Sequence, residues 1–221
     1  MKLYGIFVRS ARFVYKLFKP YKIVGNVPAE PTVFVVHHQN LSGPVHAILT
    51  LPVEAHIWAL SVFSDQHECY RQYVDYTFTR RFGMPKFLAK PLAFIVSFAV
   101  PKIVASCSAI PVNRHSREIV KTFKASLKAL VSGENLIIAP DIDYGNGSEA
   151  MGEIYTGFLH LEKIYQKETG KHLLFVPIFY NTEKKTLFIA DAIKFDDTPY
   201  NEQKEIIAQR IKNSINDLSK K

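Results

Sequence analysis

Hydrophobic and polar residues alternate along this chain in two periods, and the switches between them mark out helices and strands. Over residues 2–19, Leu3, Ile6, Phe7, Phe13, Val14, Leu17 and Phe18 recur on one helical face, with Arg9, Arg12, Lys16 and Lys19 opposite, and Pro20 ends the pattern. Such a basic, aromatic helix either lies in a membrane interface or packs its apolar face on its own domain. A short strand over Lys22–Gly25 and a turn over Asn26–Pro31 lead into Thr32–Val36, an apolar run of the kind buried on both faces of a parallel sheet. Pro44–Leu51 suits a helix with proline in its first turn, and Ile57–Phe63 reads as a second core strand. Residues 65–90 show no clear period.

Residues 91–113 are nearly uncharged and long enough to cross a bilayer, but Pro101 and Lys102 interrupt the run, and a mid-membrane charge is costly. The pattern predicts a buried or membrane-touching helix to about Val104, then a strand ending near Val112. Ser116–Ser132 is an amphipathic helix with a serine cap and Gly133 after it. Asn135–Ala139 is a strand, Asp141–Gly152 a loop, Glu153–Thr169 a helix closed by Gly170, Leu173–Tyr180 and Thr186–Ala190 a strand pair, and Tyr200–Ser219 a polar C-terminal helix. Strands alternating with helices predict a single α/β domain, with a central mostly parallel or mixed sheet flanked by helices. The expected division is residues 1–20 as a basic amphipathic helix and 21–221 as the α/β domain.

Composition adds direction. The chain has 221 residues, enough for one sizeable core, and a net charge of +8. The six basic residues between Lys2 and Lys22 face no acid before Glu30, and a second basic stretch runs from Arg71 to Lys128 with only Asp75 and Glu118 against it. Concentrated positive charge points to an anionic partner. Lipid headgroups account for it together with the apolar segment, whereas no zinc-finger, helix-turn-helix or RNP-like signature argues for nucleic acid. Cys69 and Cys107 form neither a CxxC pair nor a disulfide framework, which favours a reducing compartment. The first residues lack an apolar core with a cleavage site, so no secretory signal is expected.

Ligands in open α/β folds bind beyond the carboxyl ends of strands. Three such ends carry polar residues: His37 and His38 after Thr32–Val36; Asn113, Arg114 and His115 after "AIPV"; and Asp141, Asp143 and Tyr144 after "LIIAP". Metal binding by His37, His38 and His46 is disfavoured, because adjacent residues in a strand-like exit point to opposite sides and no further ligand completes a set. No GxSxG elbow or GxxxxGK[ST] loop occurs.

The order of these pieces resembles the glycerolipid acyltransferase superfamily that includes the 1-acylglycerol-3-phosphate acyltransferases. "VVHHQNLSGP" (35–44) stands where that family has Asn-His-x-Ser-x-x-Asp, with His38 at the His position, Asn40 at the Ser and Gly43 at the Asp. "AIPVNR" matches the strand ending in Arg, "APDIDY" stands for Phe-Pro-Glu-Gly-Thr-Arg, and "FVPIFY" for the last apolar strand. The resemblance implies a glycerol-3-phosphate acyltransferase-like fold and transfer of an acyl chain from acyl-CoA or acyl carrier protein to a hydroxyl of a lipid acceptor, with no resident cofactor or metal. It implies a peripheral place on the cytoplasmic face of the cell membrane. It makes His38 the general base and Arg114 the phosphate ligand, with Asn40, Ser42, Asn113 and Tyr144 beside the substrate. Gly43 has no side chain to orient an imidazole, so Asp141 or Asp143 is the candidate carboxylate, with His37, Ser42 and His46 as other partners for the ring. The alternative is a non-catalytic lipid- or acyl-binding protein on the same fold.

Overall fold

The computed structural model describes residues 3–113, 117–143, 147–148 and 150–221. Arg114, His115, Ser116 and Tyr144 lie outside them. Seven strands form one sheet in the order β1-β7-β6-β2-β5-β3-β4. They are β1 (Lys22–Val24), β2 (Thr32–Val36), β3 (Ala55–Leu60), β4 (Ile110–Val112), β5 (Asn135–Ile138), β6 (Leu174–Asn181) and β7 (Thr186–Ile189). Strands β6, β2, β5, β3 and β4 run parallel, β7 is antiparallel to β6, and β1 is parallel to β7. The chain is thus α/β with a mixed, mostly parallel sheet. The wholly buried β2 sits at its centre between β5 and β6, as its uninterrupted apolar run predicts.

Alternation along β2 sends side chains into two cores. Val33 and Val35 pack with α5 (Ile119–Val131), α6 (His160–Thr169) and α7 (Tyr200–Ser219), whereas Phe34 and Val36 pack with α1 (Ile6–Phe18) and α2 (Ser42–Thr50). Of the third group of helices, the sequence showed the apolar one, from about residue 91 to Val104, but not the two that pack on it. Residues 65–90 fold into α3 (Gln66–Gln72) and a π-helix over Tyr73–Arg81, both packed on α4 (Lys86–Ser106). Ala89, Ala93 and Ser97 give α4 a small-residue face for close approach, while Phe87, Phe94 and Ile95 on the rest of it are exposed. Two other boundaries move: β3 begins at Ala55 and ends at Leu60, and α6 begins only at His160, after a 3₁₀ turn over Thr156–Leu159.

Helix α1 docks by the face opposite to its apolar stripe. Tyr4 and Val8 are buried, and the Arg12 guanidinium donates to the carbonyls of Ile48 (3.0 Å) and Leu51 (2.6 Å) at the end of α2. Those carbonyls have no partner within their own helix, and a cation there also meets the negative end of its dipole. The Glu54 carboxylate accepts the Tyr4 amide at 3.2 Å, and Tyr15 Oη lies 2.9 Å from Tyr180 Oη. Ile6, Phe13, Leu17 and Phe18 remain 64–77% exposed, so the apolar stripe is not spent on the domain.

Candidate functional site

The carboxyl ends of β2 and β5 are adjacent and parallel. Continuing their register from Val35 opposite Ile138 brings Asp141 level with His38. Asp141 is held there by its own loop: the Ile142 amide donates to Glu153 (3.1 Å), and the Tyr155 amide returns to the Pro140 carbonyl (2.7 Å). Its carboxylate is buried and divided between two neighbours. One oxygen bonds Nδ1 of His37, and the other accepts the backbone N–H of His38 at 2.9 Å. The sequence offered Asp141 as a partner for the His38 ring; the structure places its carboxylate on the His37 ring and the His38 backbone amide.

Proton positions follow from the partners. His37 is 2% exposed, and its Nε2 faces the Ser148 carbonyl at 2.9 Å. Both ring nitrogens face acceptors, an arrangement that favours the protonated ring. Burial opposes that charge, but the Asp141 hydrogen bond, the Asp141 charge and the Ser148 carbonyl together outweigh it, and the His37 pKa is raised. The His38 ring is held differently: its Nδ1 accepts the Leu41 amide at 3.1 Å.

The turn that supplies the Leu41 amide is strained. Gln39, Asn40 and Leu41 all have positive φ (44°, 54° and 81°), a conformation that costs a non-glycine residue roughly 1–2 kcal/mol. Arg81, the last residue of the π-helix, reaches across and donates to Asn40 Oδ1. Gly43 then lets α2 start hard against β2: a Cβ there would lie 1.8 Å from the His37 carbonyl oxygen.

The remaining candidates disperse. Ser42 binds His46 rather than the His38 ring: His46 Nδ1 lies 2.7 Å from the Ser42 carbonyl and 3.1 Å from its hydroxyl. The His46 ring stacks on Tyr180 (4.2 Å between centroids, 6° between planes). Burial and, secondarily, the nearby Lys19 charge lower its pKa against the pull of the Ser42 carbonyl. Asp143 is exposed on the loop after Asp141. Asn113 leaves β4, three strand spacings or about 14 Å from β2 across the sheet, so the second rim position stands apart from the first and third.

No protein-family model matches the chain. No curated protein matches it either.

Sequence reasoning missed two contributors. Arg81 lay in the stretch without a clear period, where it counted only toward the basic charge weighed for lipid or nucleic-acid binding. Ser148 acts through its backbone carbonyl, which no residue type announces.

Proposed function

We propose that this protein is an acyltransferase that works at a membrane surface, moving an acyl chain from a thioester of coenzyme A or acyl carrier protein to a hydroxyl of a lipid acceptor. The observation that carries the reading is the carboxylate–imidazole pair of Asp141 and His37 at the adjoining ends of two parallel strands. A carboxylate on Nδ1 orients the ring and stabilises its protonated form, and proton transfer would use Nε2 once an acceptor hydroxyl displaces the Ser148 carbonyl from it. His37, not His38, takes the base role in this reading. The neutral ring removes the hydroxyl proton as the alkoxide oxygen bonds to the thioester carbon, and returns it to the departing thiolate. The Ser148 carbonyl marks where the acceptor hydroxyl would approach Nε2.

Because His37 must be neutral to accept a proton and its pKa is raised, kcat/KM is expected to climb with pH through a value above the ordinary histidine pKa of about 6.5. Thioester consumption with a panel of lysolipids, followed from pH 5.5 to 9, checks this. Full activity in His37→Ala would sink the assignment. A second reading, an acyl- or lipid-binding protein without catalysis, draws on the engagement of both His37 nitrogens; it predicts bound lipid but no turnover at any pH.

Two surfaces support the membrane part. The outward stripe of α1 is flanked by exposed Arg9 and Lys16, and the outer face of α4 by Lys86, Lys90 and Lys102. Among the described residues α4 alone is long and apolar enough to cross a bilayer, yet its small-residue face is covered by α3 and the π-helix, and its end continues into β4 of the sheet. Lying in the interface suits it better than spanning. The peripheral, cytoplasmic-face location of the protein belongs to the same proposal. Replacing Phe13 and Phe18 with serine should weaken binding to anionic vesicles roughly a hundredfold or more, since each buried aromatic side chain contributes about 1.5–3 kcal/mol and about 1.4 kcal/mol is a factor of ten. Vesicle co-sedimentation of the folded variant measures it, and unchanged partitioning would rule out α1 as the contact.

A further inference from the structure

One side chain of α7 holds the loop that meets His37. We infer that Asn216, in the last turn of that helix, is a positioning residue for His37: by gripping the backbone of Met151 it fixes the Ser148 carbonyl against His37 Nε2 and sets how readily that nitrogen opens to a substrate hydroxyl. The opening to a hydroxyl rests on the acyl-transfer reading above; the grip and its effect on the ring do not.

Each link is a contact between described residues. The Asn216 amide oxygen accepts the Met151 N–H at 2.7 Å, and its amide nitrogen donates to the Met151 carbonyl at 3.3 Å. One side chain thus takes both backbone groups of one residue, as a neighbouring strand would. Met151 is 2% exposed, and a buried backbone polar group left unpaired is costly. Ile215 and Leu218, on either side of Asn216, are buried in the same core as Met151 and fix the helix there. From Met151 the chain runs two ways. Toward its C-terminal side it is tied to the Asp141 exit, through the Ile142 amide on the Glu153 carbonyl and the bridge between Asp141 and Ile154. Toward its N-terminal side the Ser148 hydroxyl donates to the Ala150 carbonyl at 2.8 Å, next to the grip, and the Ser148 carbonyl stands 2.9 Å from His37 Nε2. Asn216 therefore anchors, from a packed helix, the side of the loop that carries this carbonyl.

The consequence falls on the His37 ring. Facing this residue are the Asp141 carboxylate at Nδ1, the Ser148 carbonyl at Nε2 and, against its backbone carbonyl, Gly43 of α2; Asp141 is the charged group among them. The Ser148 carbonyl favours the protonated ring and is one of the influences that raise its pKa. If the loop drifts, that influence is lost, while Asp141 stays, held by its own bonds to the His37 ring and the His38 amide. Nε2 then meets water. In the acyl-transfer reading the acceptor hydroxyl takes the place of the carbonyl, so the grip decides how firmly the resting site is closed. Asn216 makes and breaks no covalent bond; it acts through Met151 and Ser148.

NMR titration of the histidine rings of the full chain, with His37 assigned by comparison with His37→Gln, tests the grip. In Asn216→Ala the His37 midpoint is expected to move down from its wild-type value, and the Met151 amide to exchange roughly two- to tenfold faster, as loss of one ordinary hydrogen bond gives. Ile211→Ala removes a wholly buried side chain from α7, more than a turn before the grip, and leaves the Asn216 amide in place. It is expected to cost at least as much stability and to leave the His37 midpoint where it was. An unchanged midpoint in folded Asn216→Ala, or an equal shift in Ile211→Ala, would overturn the positioning role whether or not the protein is an acyltransferase. Thioester consumption supplies the second arm: the rising limb of kcat/KM with pH is expected to move down in Asn216→Ala together with the ring midpoint. A limb that stays in place while the midpoint moves would overturn the link between the grip and the opening of Nε2. No consumption by the wild type at any pH would remove the acyl-transfer reading, and the titration would still decide the grip.

Discussion

Asp141→Ala is expected to lose about 3–5 kcal/mol of stability and to reverse the sign of His37's contribution to the pH dependence near neutrality. The first effect is the cost of breaking a buried pair by removing one member, which leaves the His37 ring and the His38 amide without their carboxylate partner in the interior. For a chain of this size it corresponds to roughly 10 °C in melting temperature. The second effect follows from linkage. In the wild type the folded-state pKa of His37 is raised, so the native state holds the extra proton more tightly than the unfolded chain. That contribution is complete below the unfolded value of about 6.5 and is lost as pH rises through the folded value. Without the Asp141 carboxylate, burial is left as the main influence on His37 and favours the neutral ring. The folded pKa then drops below the unfolded one, and stability falls as pH is lowered. Urea unfolding at pH 5.5 and pH 8 reads both effects, because the wild type should gain from acidification in this window through His37 and the variant should not. A variant as stable as wild type, with the same difference between the two pH values, would mean that His37 carries no charge in the native state.

How much of this pair was legible beforehand depends on which physical signal carries it. The centre of the sheet was readable because burial on both faces leaves an unbroken β-branched run, as in Thr32–Val36. The antiparallel β6 and β7 were readable from two apolar runs with a short polar turn between them. The rim was readable as a location, since strand ends collect polar residues, and the ends of β2 and β5 do meet there. Which histidine Asp141 would grip was not readable, because it is set by the path of the loops beyond the strand ends, where the two-residue alternation no longer holds. The π-helix defeats periodicity directly: its widened turns shift side chains off the 3.6-residue repeat, and only Val74 and Phe78 within it are buried. Helix α1 shows the opposite failure. Its period was right, but the domain anchors it through Tyr4, Val8, Arg12 and Tyr15, so the apolar stripe that would ordinarily mark a docked face points away.

Gly43 is where the proposed acyltransferase resemblance would put an acid. Introducing one is expected to fail. A β-carbon on residue 43 would stand 1.8 Å from the His37 carbonyl oxygen and 3.1 Å from Val36 Cγ2, both parts of a strand end buried at the centre of the sheet. Neither can retreat, so α2 must swing away from β2 and carry the 39–41 turn with it. Gly43→Ala is therefore expected to cost at least the upper end of the roughly 1–3 kcal/mol typical of overpacking, and Gly43→Asp more. The double variant Gly43→Asp with Asp141→Ala should be less stable than either single variant and should not recover the pH profile of the wild type. Chemical denaturation of the four proteins measures the cycle, with the sites close enough that non-additivity is expected. Recovery of stability and of the pH profile in the double variant would show that α2 can move and that the acid is interchangeable between the two positions. On the geometry seen here it is not: the close packing of α2 on β2 excludes a side chain at residue 43, and a carboxylate can reach this histidine pair from β5 because that strand ends beside β2 and runs in the same direction.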